Sequence, residues 1–282
     1  MTTPADVAAA GQLACLLEVS APKPGNVSPE HHFHDTRYED FLASAVAIGP
    51  ALSDAAKHPL GTTIRTAVEA TRRWTRSNTN LGIVLLLAPL ARAALQSGGS
   101  LRERLTRVLA GTTVADAAQM YAAIRHAGPG GLGASSAEDV SDTPTVTLRE
   151  AMALAADRDA VAREYVTDFA LTFEVGVPAI RASRQEGLGW TEAAVEAYLT
   201  LLASTPDTHI ARKLGTAEAE AVSRRAIQVR AAGGTQSAAG LKALAALDAE
   251  LRDPRNRRNP GTTADLTCAA LFVVILEGGW DR

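Results

Sequence analysis

Aromatic side chains make up only 4% of this 282-residue chain, and it has just two cysteines. A β-sandwich or barrel draws on Val, Ile, Thr and aromatics to cover its pleated faces. Here alanine dominates instead, and alanine costs no side-chain entropy in a helix. Two cysteines, Cys15 and Cys268, far apart in apolar helical surroundings, give no disulfide framework and read as buried thiols in a reducing compartment. Charge of one sign is also missing. The formal net charge of −3 sets up no strong field for nucleic acid or an anionic membrane. The longest apolar runs, 81–90 and 266–276, are too short to span a bilayer core of about 30 Å. No cationic, then apolar, secretory leader opens the sequence. A cytoplasmic protein with no nucleic-acid or membrane partner is expected. A Walker lysine loop, a dinucleotide glycine fingerprint, a kinase signature and a nucleophile elbow are all lacking as well.

What is present is helical periodicity. Apolar residues recur at helical spacing over 7–19, 38–56, 62–74, 80–95, 101–109, 114–125, 159–184, 191–202, 207–231, 237–251 and 262–276. Pro178 is expected to bend or divide the 159–184 helix. The helix from Asn80 is apolar on most faces and should be central. The strongest interruption is Gly128–Thr147, a glycine-rich and polar stretch that suits a loop over a pocket as well as a linker. The terminal helices look like core helices. The expectation is therefore an all-α fold: a single-domain bundle over 1–282 with a long glycine-rich internal loop.

Four polar clusters stand beside helix starts. In Pro22-Lys23-Pro24-Gly25-Asn26-Val27 two prolines stiffen the backbone around Lys23, which suits a phosphate or carboxylate as well as a rigid surface turn. His31, His34 and Asp35 follow closely. They could hold a metal, although their spacing is not that of a zinc site. Ser77-Asn78-Thr79-Asn80 offers more amides than one helix cap needs, so one of them could meet a ribose, a base or a metal-bound water. In Pro206-Asp207-Thr208-His209-Ile210-Ala211-Arg212-Lys213, Asp207, His209 and Arg212 lie within about one turn of a helix N-terminus, a place that collects anions. In Pro260-Gly261-Thr262-Thr263-Ala264-Asp265, the last residue is a carboxylate in the first turns of an apolar helix. It needs a metal ion, a cation or the helix end as partner. A loop rich in Arg and Asn, 253–260, precedes this cluster.

Taken together, the clusters resemble the triphosphoribosyl-dephospho-CoA synthase family. Pro22–Val27 followed by His34-Asp35 and a Phe41/Ser44 helix is similar to that family's opening. Asn78-Thr79-Asn80-Leu81-Gly82, Pro206-Asp207-Thr208-His209 and Pro260-Gly261-Thr262-Thr263-Ala264-Asp265-Leu266 are similar to its later motifs. Three departures are visible. Leu81-Gly82 stands where the family has His-Lys-Gly, His209 where it has Asn, and Thr262-Thr263 where it has Gly-Ser. The resemblance implies an all-α enzyme that transfers the triphosphoribosyl group of ATP to the 2′-hydroxyl of dephospho-CoA, with loss of adenine and with Mg²⁺ as cofactor. On that reading Asp207 and Asp265 hold Mg²⁺ or steady the ribose. Lys23 and Arg212 neutralise the triphosphate, and Asn26, Asn78, Asn80, His209 and Thr262 contact the nucleotide. His34, paired with Asp35, acts as general base, since imidazole is the side chain that ordinarily titrates near neutrality. Another ATP-dependent transferase, kinase or ligase in one-carbon carrier biosynthesis stays open, as does a homodimer.

Overall fold

The computed structural model describes residues 2–129, 138–278 and 280, and every regular element among them is a helix. The glycine-rich run 130–137, the middle of the expected internal loop, lies outside the described residues. No helix among the described residues is long and apolar enough to cross a membrane. Both cysteines are buried.

The chain falls into two compact units: Met1–Cys15 with Glu39–Phe169, and Leu16–Tyr38 with Ala170–Arg282. The first holds most of α1 (Pro4–Ser20), then α2 (Tyr38–Ser53), α3 (Leu60–Arg72), α4 (Leu81–Ala94), α5 (Leu101–Ala110), α6 (Val114–Ala127), α7 (Leu148–Ala153) and α8 (Ala160–Val166). As its all-round apolarity predicts, α4 is buried along almost its whole length, with α3, α5 and α8 packed on it. Asp116 joins α3 to α6. One carboxylate oxygen accepts from Gly61 N at 2.8 Å, and the other completes a capping box with Thr113. A β-carbon at Gly61 would lie 2.4 Å from the Asp116 carbonyl oxygen, so the two helices touch backbone to backbone there.

The second unit holds the end of α1, a π-helical segment (Leu171–Gly176), α9 (Val177–Gln185), α10 (Trp190–Ser204), α11 (Thr208–Leu214), α12 (Thr216–Ala231), α13 (Ala238–Leu251) and α14 (Gly261–Leu276). Its core is α10 and α14, which pack on each other and are both largely buried.

Two of the predicted helices are divided differently from the sequence reading. The 159–184 stretch breaks at Asp168 and Phe169, whose φ angles of 51° and 59° are left-handed. It divides a second time beside Pro178, as expected: the π segment ends at Gly176 and α9 begins at Val177, with Pro178 in its first turn. The 207–231 stretch breaks at Gly215, at φ 92°, into α11 and α12. The short α7 lies in a stretch that the periodicity left unassigned.

Candidate functional site

Three of the four polar clusters come together in the second unit. The first is the turn after α1. Its fulcrum is Tyr198 on α10, whose hydroxyl donates to Pro24 O at 2.8 Å and accepts from Asn26 Nδ2 at 3.0 Å. Gly25, at φ 75°, donates its N–H to Asp248 Oδ1 at 2.8 Å. A β-carbon there would strike the Leu251 side chain at 2.8 Å, so the turn seats on α13 only with glycine at this position. Arg252 grips Asp248 through two 2.7 Å bonds and reaches Asn26 O at 3.2 Å. Asn26 thus has a structural partner at both its side chain and its carbonyl.

Lys23 does not face outward as the phosphate reading expected. Its side chain is fully buried and turns back onto the end of α1, where Nζ pairs with Glu18 Oε1 at 2.9 Å. The same ammonium donates to Glu18 O and to Ala21 O. Three N–H groups meet three acceptors at a helix C-terminus, where the backbone dipole also favours a cation. This corrects the triphosphate role: the Lys23 charge is already spent inside the protein. Sequence inspection missed Glu18, whose place in an ordinary helical pattern gave no signal. Asp248 and Arg252 could have been noticed as an i,i+4 pair.

His34 and Asp35 are exposed, with a long contact of 3.9 Å between Nε2 and Oδ2. Asn256 Nδ2 lies 3.1 Å from His34 Nδ1 and ties the histidine segment to the arginine-rich loop. His31 closes a small bridge with Ser28.

The starts of α11 and α14 are clamped together. Asp207 Oδ1 accepts from His209 N at 2.8 Å and Ile210 N at 3.0 Å, capping α11. Its Oδ2 accepts from Thr263 N at 2.8 Å and Thr263 Oγ1 at 2.7 Å, holding the start of α14. Thr208 Oγ1 adds a 3.1 Å bond to Thr262 Oγ1, both buried, so Thr262 is likewise engaged with protein. Asp207 therefore corrects its expected metal role. Each oxygen already takes two protein donors, and the residue is 2% exposed. Burial pushes its carboxyl above the usual range, while the bonds from Thr263, Ile210 and His209 pull the other way. Among the described residues no group of three His, Cys, Asp or Glu could hold a metal ion.

His209 sits against the backbone of α14. A β-carbon on Gly261 would come 2.5 Å from its Nδ1, so only glycine lets the ring lie there. Burial, with Lys213 and Arg212 adding repulsion, lowers the imidazole from 6.5 to about 3, so it is neutral at physiological pH. The Nε2 of His209 and the Oδ1 of Asn259 are buried with no hydrogen-bond partner among the described residues. Polar atoms of this kind are usually met by water or a ligand. Asp265, half-buried, lies one turn beyond Gly261 and shares its face of α14. Arg212 is half-buried beside Lys213.

The depressed imidazole has a measurable consequence. In the unfolded chain it takes up a proton below about pH 6.5, while in the folded chain it stays neutral down to about 3. Stability is therefore lost as pH falls through that window. Between pH 7 and 5, urea unfolding should cost the wild type about 2 kcal/mol more than the His209→Gln variant. Equal losses in both proteins would contradict the buried, neutral ring.

The Asn78–Asn80 cluster belongs to the first unit and is self-contained. Asn78 Oδ1 accepts from Leu81 N at 3.1 Å, so Asn78, rather than Asn80, satisfies the start of α4. Asn80 Nδ2 donates to Thr71 Oγ1 at 3.1 Å, and Thr79 Oγ1 lies 2.6 Å from Ser44 Oγ. Both amides already serve the protein.

The sequence matches, over residues 4–282, the family described as CitG, ATP:dephospho-CoA triphosphoribosyl transferase. The 2-(5″-triphosphoribosyl)-3′-dephosphocoenzyme-A synthase of Klebsiella pneumoniae is 35% identical over 104 residues, 37% of this chain and 36% of that protein. A protein of Stutzerimonas stutzeri assigned as the same synthase is 35% identical over 105 residues, again 37% and 36%. The chain thus spans about a third of the length of the curated relatives it matches. A solved structure from Archaeoglobus fulgidus, assigned as a triphosphoribosyl-dephospho-CoA synthase, superposes with a TM-score of 0.66 at 28% identity, covering 84% of this chain and 99% of that one. The helical fold agrees with these matches, and the chain belongs to the ATP:dephospho-CoA triphosphoribosyl transferase family.

Proposed function

We propose that residues 1–282 act as one all-helical transferase that moves the 5-triphosphoribosyl group of ATP onto the 2′-hydroxyl of 3′-dephospho-CoA and releases adenine. The observation that carries this reading is the meeting of the Pro22–Val27 turn, the Asp207 helix start and the Pro260 helix start in one unit. Buried hydrogen bonds join the α11 and α14 starts, the Gly25 turn packs against Pro260, where a β-carbon would come within 3.2 Å, and unsatisfied polar atoms lie among them.

In the reaction C1′ of the ribose loses adenine and gains an alcohol oxygen, so positive charge builds on the sugar ring. A carboxylate close to that carbon stabilises the charge. Asp265 is suited to this, because it is half-buried one turn beyond Gly261, on the face of α14 that His209 covers. The neutral His209 ring offers a hydrogen bond without adding a cation beside the oxocarbenium. Mg²⁺ arrives with ATP as part of the substrate and neutralises its phosphates; we assign Asp265 as the carboxylate that meets it. His34, held by Asn256 and near Asp35, takes the proton of the acceptor hydroxyl. Arg212 supplies charge to the phosphates.

The test is chromatographic. The full chain incubated with Mg·ATP and dephospho-CoA should release adenine in step with loss of dephospho-CoA. Asp265→Asn should lower turnover at least tenfold with an unchanged fold. Formation of ADP or AMP instead of adenine, or full turnover by Asp265→Asn, would defeat the assignment.

A further inference from the structure

The arginine-rich loop that follows α13 borders a half-open cavity of about 310 Å³, lined by Leu214, Glu218, Asp253, Arg257 and Arg258. That volume is at the low end for small-molecule sites and suits a phosphorylated group rather than a whole coenzyme. The loop is built to hold its shape. One oxygen of Asp253 accepts from Arg255 N at 2.9 Å, and the other from Arg257 N at 2.8 Å and Arg258 N at 3.1 Å. Against the burial that would raise it, these backbone donors hold the Asp253 carboxyl below its usual range, so it stays ionised.

The charges around this cavity are unevenly used. Glu218 is engaged by Arg258, Nε to Oε1 at 2.8 Å. Asp253 is taken up by three backbone groups, which leaves the Arg257 guanidinium only a 3.7 Å approach to it. Lys213, next to the lining residue Leu214, is half-buried and has no hydrogen bond or ion pair within reach among the described residues. Burial and the neighbouring Arg212 both disfavour its charge, while Asp253, Asp35 and Asp207 act the other way. A half-buried cation beside a second cation is costly unless an anion joins them. The lining itself holds two arginines and two carboxylates, and both carboxylates are already engaged, Glu218 by Arg258 and Asp253 by the loop backbone.

We infer that this cavity is a subsite for phosphate groups of a substrate nucleotide, with Arg257 as its main ligand and Lys213 as its second cation. Arg257 presents a planar fork that fits phosphate oxygens in pairs, and Lys213 adds a point charge. The inference rests on the nucleotide reading above and adds where the phosphates lie. They could be the triphosphate of ATP or the diphosphate of dephospho-CoA, and the cavity recognises the same chemistry in either.

Calorimetric titration of the full chain in Mg²⁺ buffer, with inorganic tripolyphosphate, ATP and dephospho-CoA as separate probes, tests it. The Arg257 side chain takes no part in the backbone pin, so Arg257→Gln should leave the loop and fold intact. It should weaken tripolyphosphate binding at least tenfold, and Lys213→Gln should act in the same direction. A matching loss for ATP alone places its triphosphate in the cavity, and a loss for dephospho-CoA alone places its diphosphate there. Wild-type affinity of Arg257→Gln for all three probes, or no binding of any probe by the wild type, overturns the subsite. Adenine release separates the two readings. Turnover with an unchanged KM in Arg257→Gln would sink the subsite and spare the transferase. Arginine-dependent tripolyphosphate binding without adenine release would do the reverse.

Discussion

Replacing Lys23 with methionine is expected to destabilise the protein by about 3–5 kcal/mol, an effect out of scale for a lysine in a proline-rich turn. The reason is the partner it abandons. Glu18 is 4% exposed and Lys23 1%, and the ammonium is the cation that pairs with the Glu18 carboxylate. Without it a buried negative charge lies at the C-terminal end of α1, where the helix dipole is also negative. The carbonyls of Glu18 and Ala21 lose the ammonium in the same step and keep only their backbone donors, the N–H groups of Ala21 and Lys23. Removing both charges together is a different matter. A Glu18→Leu/Lys23→Met double variant fills the same space with apolar groups and should recover most of the loss, since a buried pair gains little over well-packed hydrophobic replacements. Urea unfolding of the wild type, both single variants and the double variant reads the coupling directly. Near-additive losses, with the double variant worse than either single one, would contradict the pairing. A phosphate-binding lysine would behave otherwise: its loss would spare stability and raise KM for the nucleotide.

The fold was largely legible because helix period and punctuation are local. The burial of α4 follows from Leu81–Leu90 being apolar all round, and the helix-free turn at Pro22–Val27 follows from its two prolines. Where the reading failed, the cause was also local but silent. Asp168 and Phe169 carry left-handed backbone angles with no glycine to announce them, so the break after α8 was not foreseen, whereas the change from π to α beside Pro178 was. The six residues of α7 are too few to show a period, although Thr147 and Glu150 spell its capping box. For the site, the polar residues were legible as clusters, but their work was not. Asp207 looked like a metal ligand because its partner in the second helix, Thr263, lies 56 residues further along. Lys23 looked like a phosphate ligand because nothing in the helical pattern around Glu18 marks it as a buried partner. Tyr198 and Asp248 act on residues 174 and 223 positions away, a reach that only the tertiary structure reveals.

Asp207 is the residue whose loss should reach furthest into the site, and through architecture rather than chemistry. Asp207→Ala leaves the N–H groups of His209, Ile210 and Thr263 and the Thr263 hydroxyl without their acceptor. An N-cap alone is worth about 1 kcal/mol, and each buried orphan adds roughly 1–3 kcal/mol before relaxation. A total of about 3–5 kcal/mol follows. Asp207→Asn is the sharper variant. Its oxygen can still cap α11, but its amide then points a donor at the donor Thr263 N–H, and about 2 kcal/mol should be lost. Thr263→Val removes the hydroxyl bond alone, so its effect should shrink when combined with Asp207→Ala, because the two share one interaction. In both Asp207 variants the starts of α11 and α14 lose their common anchor, and with it the fixed placement of His209 over Gly261 and of Asp265 one turn on. Turnover should therefore fall in parallel with stability, and added Mg²⁺ should restore neither. An Asp207→Asn protein of wild-type stability whose activity returned at high Mg²⁺ would show that this carboxylate holds a metal and does not pin two helices.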